Sequence, residues 1–447
     1  MADDNHSISN NNAWRQPRET PSLQENFQTI AILPSWPWWR KLLAFAGPGY
    51  LVAVGYMDPG NWATDLAAGS KFNYTLLSVV LLSNLMAILL QHLAGKLGIV
   101  TGRDLAQACR DHFSATTTMI LWILCEIAIC ACDLAEVIGS AIALKLLFNI
   151  PLMWGVCITA CDVLVLLYFQ KFHFRYIEAI VVVLMSIIAG CFWFEIAISQ
   201  PDVGTIMSGL IPDAHILFNP EMLYIAIGII GATVMPHNLY LHSSIVQTRK
   251  YADTLSGKEE AIKYTTIDTT IALSLAFFVN AAILIVAASV FYAHGYQDVN
   301  DIEQAYKLLT PLLHAPLAST LFALALLASG QNSTLTGTLA GQIVMEGFLN
   351  ICMSPWLRRF VTRSLAIVPA IICIYVYGDS SIGKLMLVSQ VILSFQLGFA
   401  IIPLIMFTSD RKKMGAHVNA PWVSILAWIS ACLIIGLNIK FLLDFFV

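Results

Sequence analysis

Two short stretches place polar donors inside otherwise apolar sequence: Asp58-Pro59-Gly60-Asn61 and Met235-Pro236-His237-Asn238, both of the form X-Pro-X-Asn. A proline inside a helix lacks the N–H that would bond the carbonyl four residues back, and it turns its predecessor away from helical angles. Pro59 therefore frees the carbonyl of Gly55, and Pro236 that of Ala232. With the Asp58 carboxylate, the Asn61 amide oxygen and the Met235 thioether, these carbonyls form a set of electron-pair donors carrying one negative charge. Such a set suits a cation. Mg²⁺ or Ca²⁺ would be served by oxygen alone, whereas a thioether favours a softer ion such as Mn²⁺, Fe²⁺ or Cd²⁺.

The elements that must position these groups are membrane helices. Of 447 residues, 58% are hydrophobic and only 12% charged, and apolar runs long enough to cross a hydrocarbon core of about 30 Å fill the chain from Leu42 to Phe446. Lipid offers no partner to open backbone groups, so these runs must be helical. Charged and Pro/Gly-rich breaks divide them into eleven spans, at 42–70, 75–97, 115–147, 152–170, 176–199, 220–248, 267–294, 312–348, 361–378, 384–408 and 421–443. With the N-terminus in the cytoplasm, 19 of the 24 Lys and Arg residues fall on the inner side. That asymmetry follows the positive-inside tendency and predicts N-terminus in, C-terminus out. The polar segment 1–37 reads as a disordered cytoplasmic tail.

In a bilayer an unsatisfied carbonyl costs several kcal/mol, so a broken helix persists only where water, a neighbouring helix or a ligand completes it. A single proline kink is often architectural. Here the two breaks occur in the first and sixth spans, at corresponding places if the helices divide as five, five and one. Matched breaks of this kind point to an inverted-repeat transporter with its substrate near the midplane, and an ionisable residue at the depth of Asp58 marks a functional site.

The third span carries Glu126, Asp133 and Glu136, of which Glu126 and Asp133 share a helix face. Buried acids require partners, water or protons. We expect a proton route linking Asp58 and His237 to Glu126, Asp133, Glu136 and Arg363, against the alternative of a static ion-pair network. Gln91 reads as a vestibule or gate residue. The eighth-span run Ser329, Gln331, Asn332, Ser333 and Thr334 reads as interhelical packing, and His92, His112, His173, His242 and His314 as solvated histidines without a role.

These residues resemble the NRAMP family of divalent metal transporters, particularly the bacterial proton-dependent manganese transporters. The likeness rests on Gly47-Pro48-Gly49, Asp58-Pro59-Gly60-Asn61, Asp133-Leu134-Ala135-Glu136, the run Gly231 to Ser243, and Ser389-Gln390-Val391 with Gln396, and it extends from about Trp39 to the end. The resemblance implies metal ligands at Asp58, Asn61, the Ala232 carbonyl and Met235, with Gln390 joining in an occluded state, and an eleven-helix fold of the LeuT type. It implies import of Mn²⁺, and of Fe²⁺ and Cd²⁺, with protons across a bacterial inner membrane. Magnesium-transporting relatives are expected to lack the methionine.

Other classes fit poorly. No basic run suits nucleic acid, and no nucleophile–base constellation or nucleotide motif suggests an enzyme or a cofactor. The ten cysteines lie mostly in apolar spans and read as small buried hydrophobes, Cys125, Cys130 and Cys132 being the densest cluster. No obligatory protein partner is evident. A sodium-coupled amino-acid symporter would present open helix N-termini to a carboxylate, a poor match to Asp58 beside Met235. A metal-sensing receptor would carry a soluble output domain.

Overall fold

The computed structural model describes residues 14, 21–159, 174–297, 299, 301–350, 355–377 and 382–446. It is a bundle of helices whose only strand pairing among these residues is the two-residue parallel ladder of β1 (Ile30–Ala31) with β2 (Arg249–Lys250). Seven of the described helical stretches are long and apolar enough to cross a bilayer. The protein is a multi-pass, all-α membrane protein.

The first expected span is three helices: α1 (Trp38–Phe45), α2 (Pro48–Gly55) and α3 (Pro59–Phe72). Besides the anticipated break at Tyr56–Asp58, the chain bends at Gly47, whose φ of 142° only glycine adopts readily. A side chain there would also strike the Glu178 carboxyl, at 2.3 Å. Then follow α4 (Leu77–Thr101), α5 (Leu105–His112), α6 (Ala115–Phe148), α7 (Leu152–Thr159) and α8 (Phe174–Ser199). The remainder of the fourth expected span, 160–170, lies outside the described residues.

The sixth span is α9 (Pro220–Val234) and α10 (Pro236–Ile245), hinged at Met235. Next come α11 (Leu255–Val286), α12 (Ile302–Leu313), α13 (Ala318–Leu349), α14 (Pro355–Tyr377), α15 (Ile382–Ser409) and α16 (Pro421–Phe446). The eighth span was expected to begin at residue 312. It begins at Ala318 instead, because α12 ends with His314 in the left-handed region (φ 51°) just before Pro316.

The expectation of a disordered 1–37 also needs correction. Between Ser22 and Ile32 the chain is laid against the helical body: Ser22 Oγ donates to Asp104 Oδ2 (2.6 Å), Leu23 N to Glu346 Oε2 (3.2 Å), Gln28 N to the Gln247 carbonyl (3.0 Å) and Ile32 N to that of Lys250 (2.9 Å). Polar composition hid this because three of these four bonds are made by the segment's backbone, which composition does not report.

Beneath it, the bend between α1 and α2 is fixed by buried charge. Arg249 pairs with Glu178 at 2.6 Å and donates to the carbonyls of Ala44 (3.2 Å) and Ala46 (2.9 Å). Asp268 accepts from the backbone N–H groups of Gly47 (3.3 Å) and Gly49 (2.7 Å). Beyond the break, Trp62 of α3 packs edge-on between Phe192 and Phe322, ring centroids 4.9 and 5.0 Å away, anchoring the second half of the broken helix.

Candidate functional site

Each break is built from local backbone chemistry. Asp58 caps α3, its carboxylate accepting from Asn61 N at 2.8 Å, and Pro59 fills the first helical position, where a missing N–H costs nothing. In the other broken helix Met235 adopts φ 38° and ψ 104°, a conformation that β-branched and bulky residues rarely take, and Pro236 opens α10. Strain of this kind persists only where the surroundings hold it.

The two breaks face each other. Asn61 Nδ2 donates to Asp58 Oδ1 (2.7 Å), to the Ala232 carbonyl (2.9 Å) and, at 3.4 Å, to the Gly55 carbonyl. The sulfur of Met235 accepts from Asn238 Nδ2 at 3.4 Å. Asp58, Ala232 and Met235 are fully buried and Asn61 is 1% exposed. Three oxygens from two different helices thus converge on one small polar group, the surroundings a cation needs once the amide turns its own oxygen inward. Among the described residues no three His, Cys, Asp or Glu side chains come together to hold a metal, so a cation here would rely on carbonyl, amide and thioether donors beside the single Asp58 carboxylate.

Gln390 of α15 is wedged against both breaks. A Cβ on Gly60 would lie 2.0 Å from Gln390 Nε2, and one on Gly231 would lie 2.1 Å from the Gln390 carbonyl. Its Nε2 donates to Ser389 Oγ (3.0 Å), while its Oε1 is buried without a hydrogen-bond partner. Gln396 is buried further along α15 and is not among the groups meeting at the breaks.

A sequence model of the family described as natural resistance-associated macrophage protein-like (Nramp) matches residues 49–444. The chain belongs to the Nramp family. It is 62% identical over 428 residues to a Nostoc protein described as divalent metal cation transporter MntH, spanning 96% of this chain and 97% of that one. The Listeria innocua protein of the same description is 61% identical, with 96% of each chain covered. The crystal structure of the Eremococcus coleocola manganese transporter, in complex with an aromatic bis-isothiourea compound, superposes with a TM-score of 0.86 at 43% identity, covering 95% of this chain and 90% of that one. Mhp1, a nucleobase-cation-symport-1 family transporter, superposes at 0.62 and the MhsT–phenylalanine complex at 0.59, each at 14% identity. The fold of this Nramp protein is therefore the LeuT type expected from the sequence.

Of the expected proton route, Asp133 and Glu136 are buried together on α6 against α13: a Cβ on Gly337 would lie 2.8 Å from Asp133 Oδ1 and 3.1 Å from Glu136 Oε2. Cys132, one turn before Glu136, joins them to the broken helices, its sulfur 3.7 Å from Glu136 Oε1, 3.9 Å from Asp58 Oδ2 and 3.8 Å from His237 Nε2. Glu126 is set apart, about 10 Å along the helix from Asp133, and accepts from Trp122 Nε1 at 3.0 Å. Arg363 lies on α14, but its side chain falls outside the described residues.

Gln91, read from the sequence as a vestibule or gate residue, is sealed within the bundle. It is fully buried and its Nε2 donates to the Tyr56 hydroxyl (2.9 Å), which in turn donates to the Val234 carbonyl (3.3 Å). His242, set aside in the sequence as solvated, is also fully buried, its Nδ1 3.0 Å from the Gln91 carbonyl and 3.1 Å from Gln91 Oε1. Asn280, equally unforeseen, donates from α11 to the Tyr56 carbonyl (2.7 Å) and to Asn61 Oδ1 (3.3 Å). A lone amide in the middle of an apolar span was the signal for Asn280; for His242 it was a register of seven residues from Met235, which keeps the ring on the same face of α10.

Proposed function

We propose that this protein imports Mn²⁺, and with it Fe²⁺ and Cd²⁺, across a bacterial inner membrane by alternating access, with co-transport of protons. It is a divalent metal cation transporter, as its relatives are described to be. The observation that carries the reading is the convergence of Asp58 Oδ1 and the Ala232 and Gly55 carbonyls on the Asn61 amide, with Met235 at the same hinge. In the transport complex the cation takes the place of that N–H group, the amide turns to offer Oδ1, and Gln390 Oε1 completes the shell. The fold alone does not choose the substrate, since fold neighbours carry hydantoin and amino-acid ligands. Donor chemistry does: one carboxylate, neutral oxygens and a sulfur suit Mn²⁺ or Fe²⁺ rather than a bare carboxylate ligand.

With eleven helices and the N-terminus inside, as the sequence predicts, the Gln91–His242–Tyr56 chain and the Arg249–Glu178 pair lie on the cytoplasmic side of the site. Inward opening then requires α2 and α10 to part there, hinged at the two breaks. Asp133 and Glu136, reached from Asp58 and His237 through Cys132, carry the proton away from the metal's path. An inward-negative membrane potential favours entry by about 2.3 kcal/mol per charge per 100 mV, so a divalent cation gains twice that.

The deciding experiment is metal uptake by proteoliposomes under competition. Wild-type protein should take up Mn²⁺ against an excess of Ca²⁺ and Mg²⁺, and Asp58→Asn should not transport at all. Undiminished Mn²⁺ uptake by Asp58→Asn would overturn the assignment.

A further inference from the structure

Helices α4 and α11 pack side by side, and each sends a stripe of side chains toward lipid. On α4 the stripe runs Leu82, Leu85, His92, Lys96; on α11 it runs Phe278, Leu275, Ile271, Lys263, at spacings of three, four, seven and eight residues that keep to one helix face. The apolar members are well exposed, from 41% at Leu82 to 66% at Phe278. Both stripes turn from apolar to basic toward the same end of the bundle, where the chain leading into α16 closes over a cavity of about 480 Å³. His92, Lys96, Lys263 and His417 line it, with Ile262 and Ile267 as apolar wall and the exposed Glu259 at its edge.

Lys96 is the informative residue. It is only 9% exposed, its Nζ donates to the neutral Asn419 Oδ1 at 2.9 Å, and among the described residues neither Lys96 nor Lys263 forms an ion pair. The His417 ring has its Nε2 buried without a hydrogen-bond partner. A sunken ammonium with no carboxylate is costly unless an anion arrives from outside the chain. Basic pockets between membrane helices recognise anionic headgroups, and the exposed apolar residues of α4 and α11 lead away from this one.

We propose that the cleft seats one anionic phospholipid, its phosphate held by Lys96, Lys263 and His417 and an acyl chain lying in the α4–α11 groove. Assignment to the cytoplasmic leaflet rests on the orientation proposed above; the cleft itself does not. A free phosphate ion would share the charge complementarity but would leave the apolar groove unused.

The test is native mass spectrometry of the full-length protein released from nanodiscs containing phosphatidylglycerol or phosphatidylcholine, with and without inorganic phosphate. Phosphatidylglycerol should be retained about fivefold more than phosphatidylcholine, and Lys96→Met and Lys263→Met should each remove most of that preference. Lys263 is exposed, so its variant remains a test should Lys96→Met fail to fold. Equal retention of the two lipids, full retention in Lys263→Met, or complete displacement by inorganic phosphate would each overturn the proposal. Met235→Ala should keep the lipid preference whatever it does to metal uptake, which separates failure here from failure of the transport reading.

Discussion

The side chain of Asn61 and the main-chain oxygen of Ala232 lie 2.9 Å apart although 171 residues separate them, so each broken helix completes the other. Asn61 also holds Asp58, through 2.7 and 2.8 Å contacts to the same carboxylate oxygen. Asn61→Ala should therefore cost more than one ligand. We expect Mn²⁺ affinity measured by calorimetry to fall by about tenfold or more, about 1.4 kcal/mol; unchanged affinity would remove Asn61 from the site.

Met235 supplies a thioether at the hinge, a donor that oxygen-preferring ions do not want. Met235→Ala should lower Cd²⁺ and Mn²⁺ uptake while raising that of Ca²⁺ or Mg²⁺, so that discrimination in competition assays collapses. Retained discrimination would mean that the thioether serves only packing.

Gly60 and Gly231 both abut Gln390, but different parts of it. At Gly60 the intruding atom is the mobile end of the side chain, so Gly60→Ala should fold and show reduced uptake because Gln390 is pushed away. At Gly231 a Cβ meets main-chain atoms, the Gln390 carbonyl at 2.1 Å and Ser394 N at 2.7 Å. Gly231→Ala should destabilise by about 1–3 kcal/mol or more, seen as a lower Tm in detergent.

Arg249 and Glu178 are a buried pair, with side chains 0% and 4% exposed. Arg249→Met leaves a buried carboxylate and should cost about 3–5 kcal/mol, less whatever Arg175 recovers from its own 3.0 Å contact with Glu178. The double variant with Glu178→Gln should be more stable than Arg249→Met alone, a coupling that thermal melts of the four proteins in the cycle would measure.

Asp133→Asn should bind Mn²⁺ yet carry no proton. A pH-sensitive dye inside proteoliposomes would show metal entry without acidification; equal acidification in the variant would assign the proton to another path.

Some of this was legible without coordinates because it follows from local chemistry. Helices spanning a bilayer need long apolar runs, and a proline within one frees a carbonyl; since Pro311, Pro369 and Pro403 sit inside unbroken helices, it was the matched X-Pro-X-Asn motifs with an acid beside one of them that placed the hinges at Asp58 and Met235. What composition could not reveal was who completes the exposed groups. His242 reads as an ordinary histidine near a helix end, yet it is sealed against Gln91. Cys132 reads as a small hydrophobe and turns out to touch Asp58, Glu136 and His237. Residues 22–32 look like a tail, yet their backbone is paired with Gln247 and Lys250.

The chain by itself determined that two interrupted helices would carry an acid, an amide and a thioether at membrane depth, because proline geometry and the cost of bare backbone polar groups act over a few residues. Only the tertiary structure decided that Gly55 and Ala232 would point their carbonyls at one amide, that Gln390 would close against both glycines, and that Lys96 would be left without an acid. Those outcomes depend on which helix faces meet across hundreds of residues, and packing, not local preference, sets that.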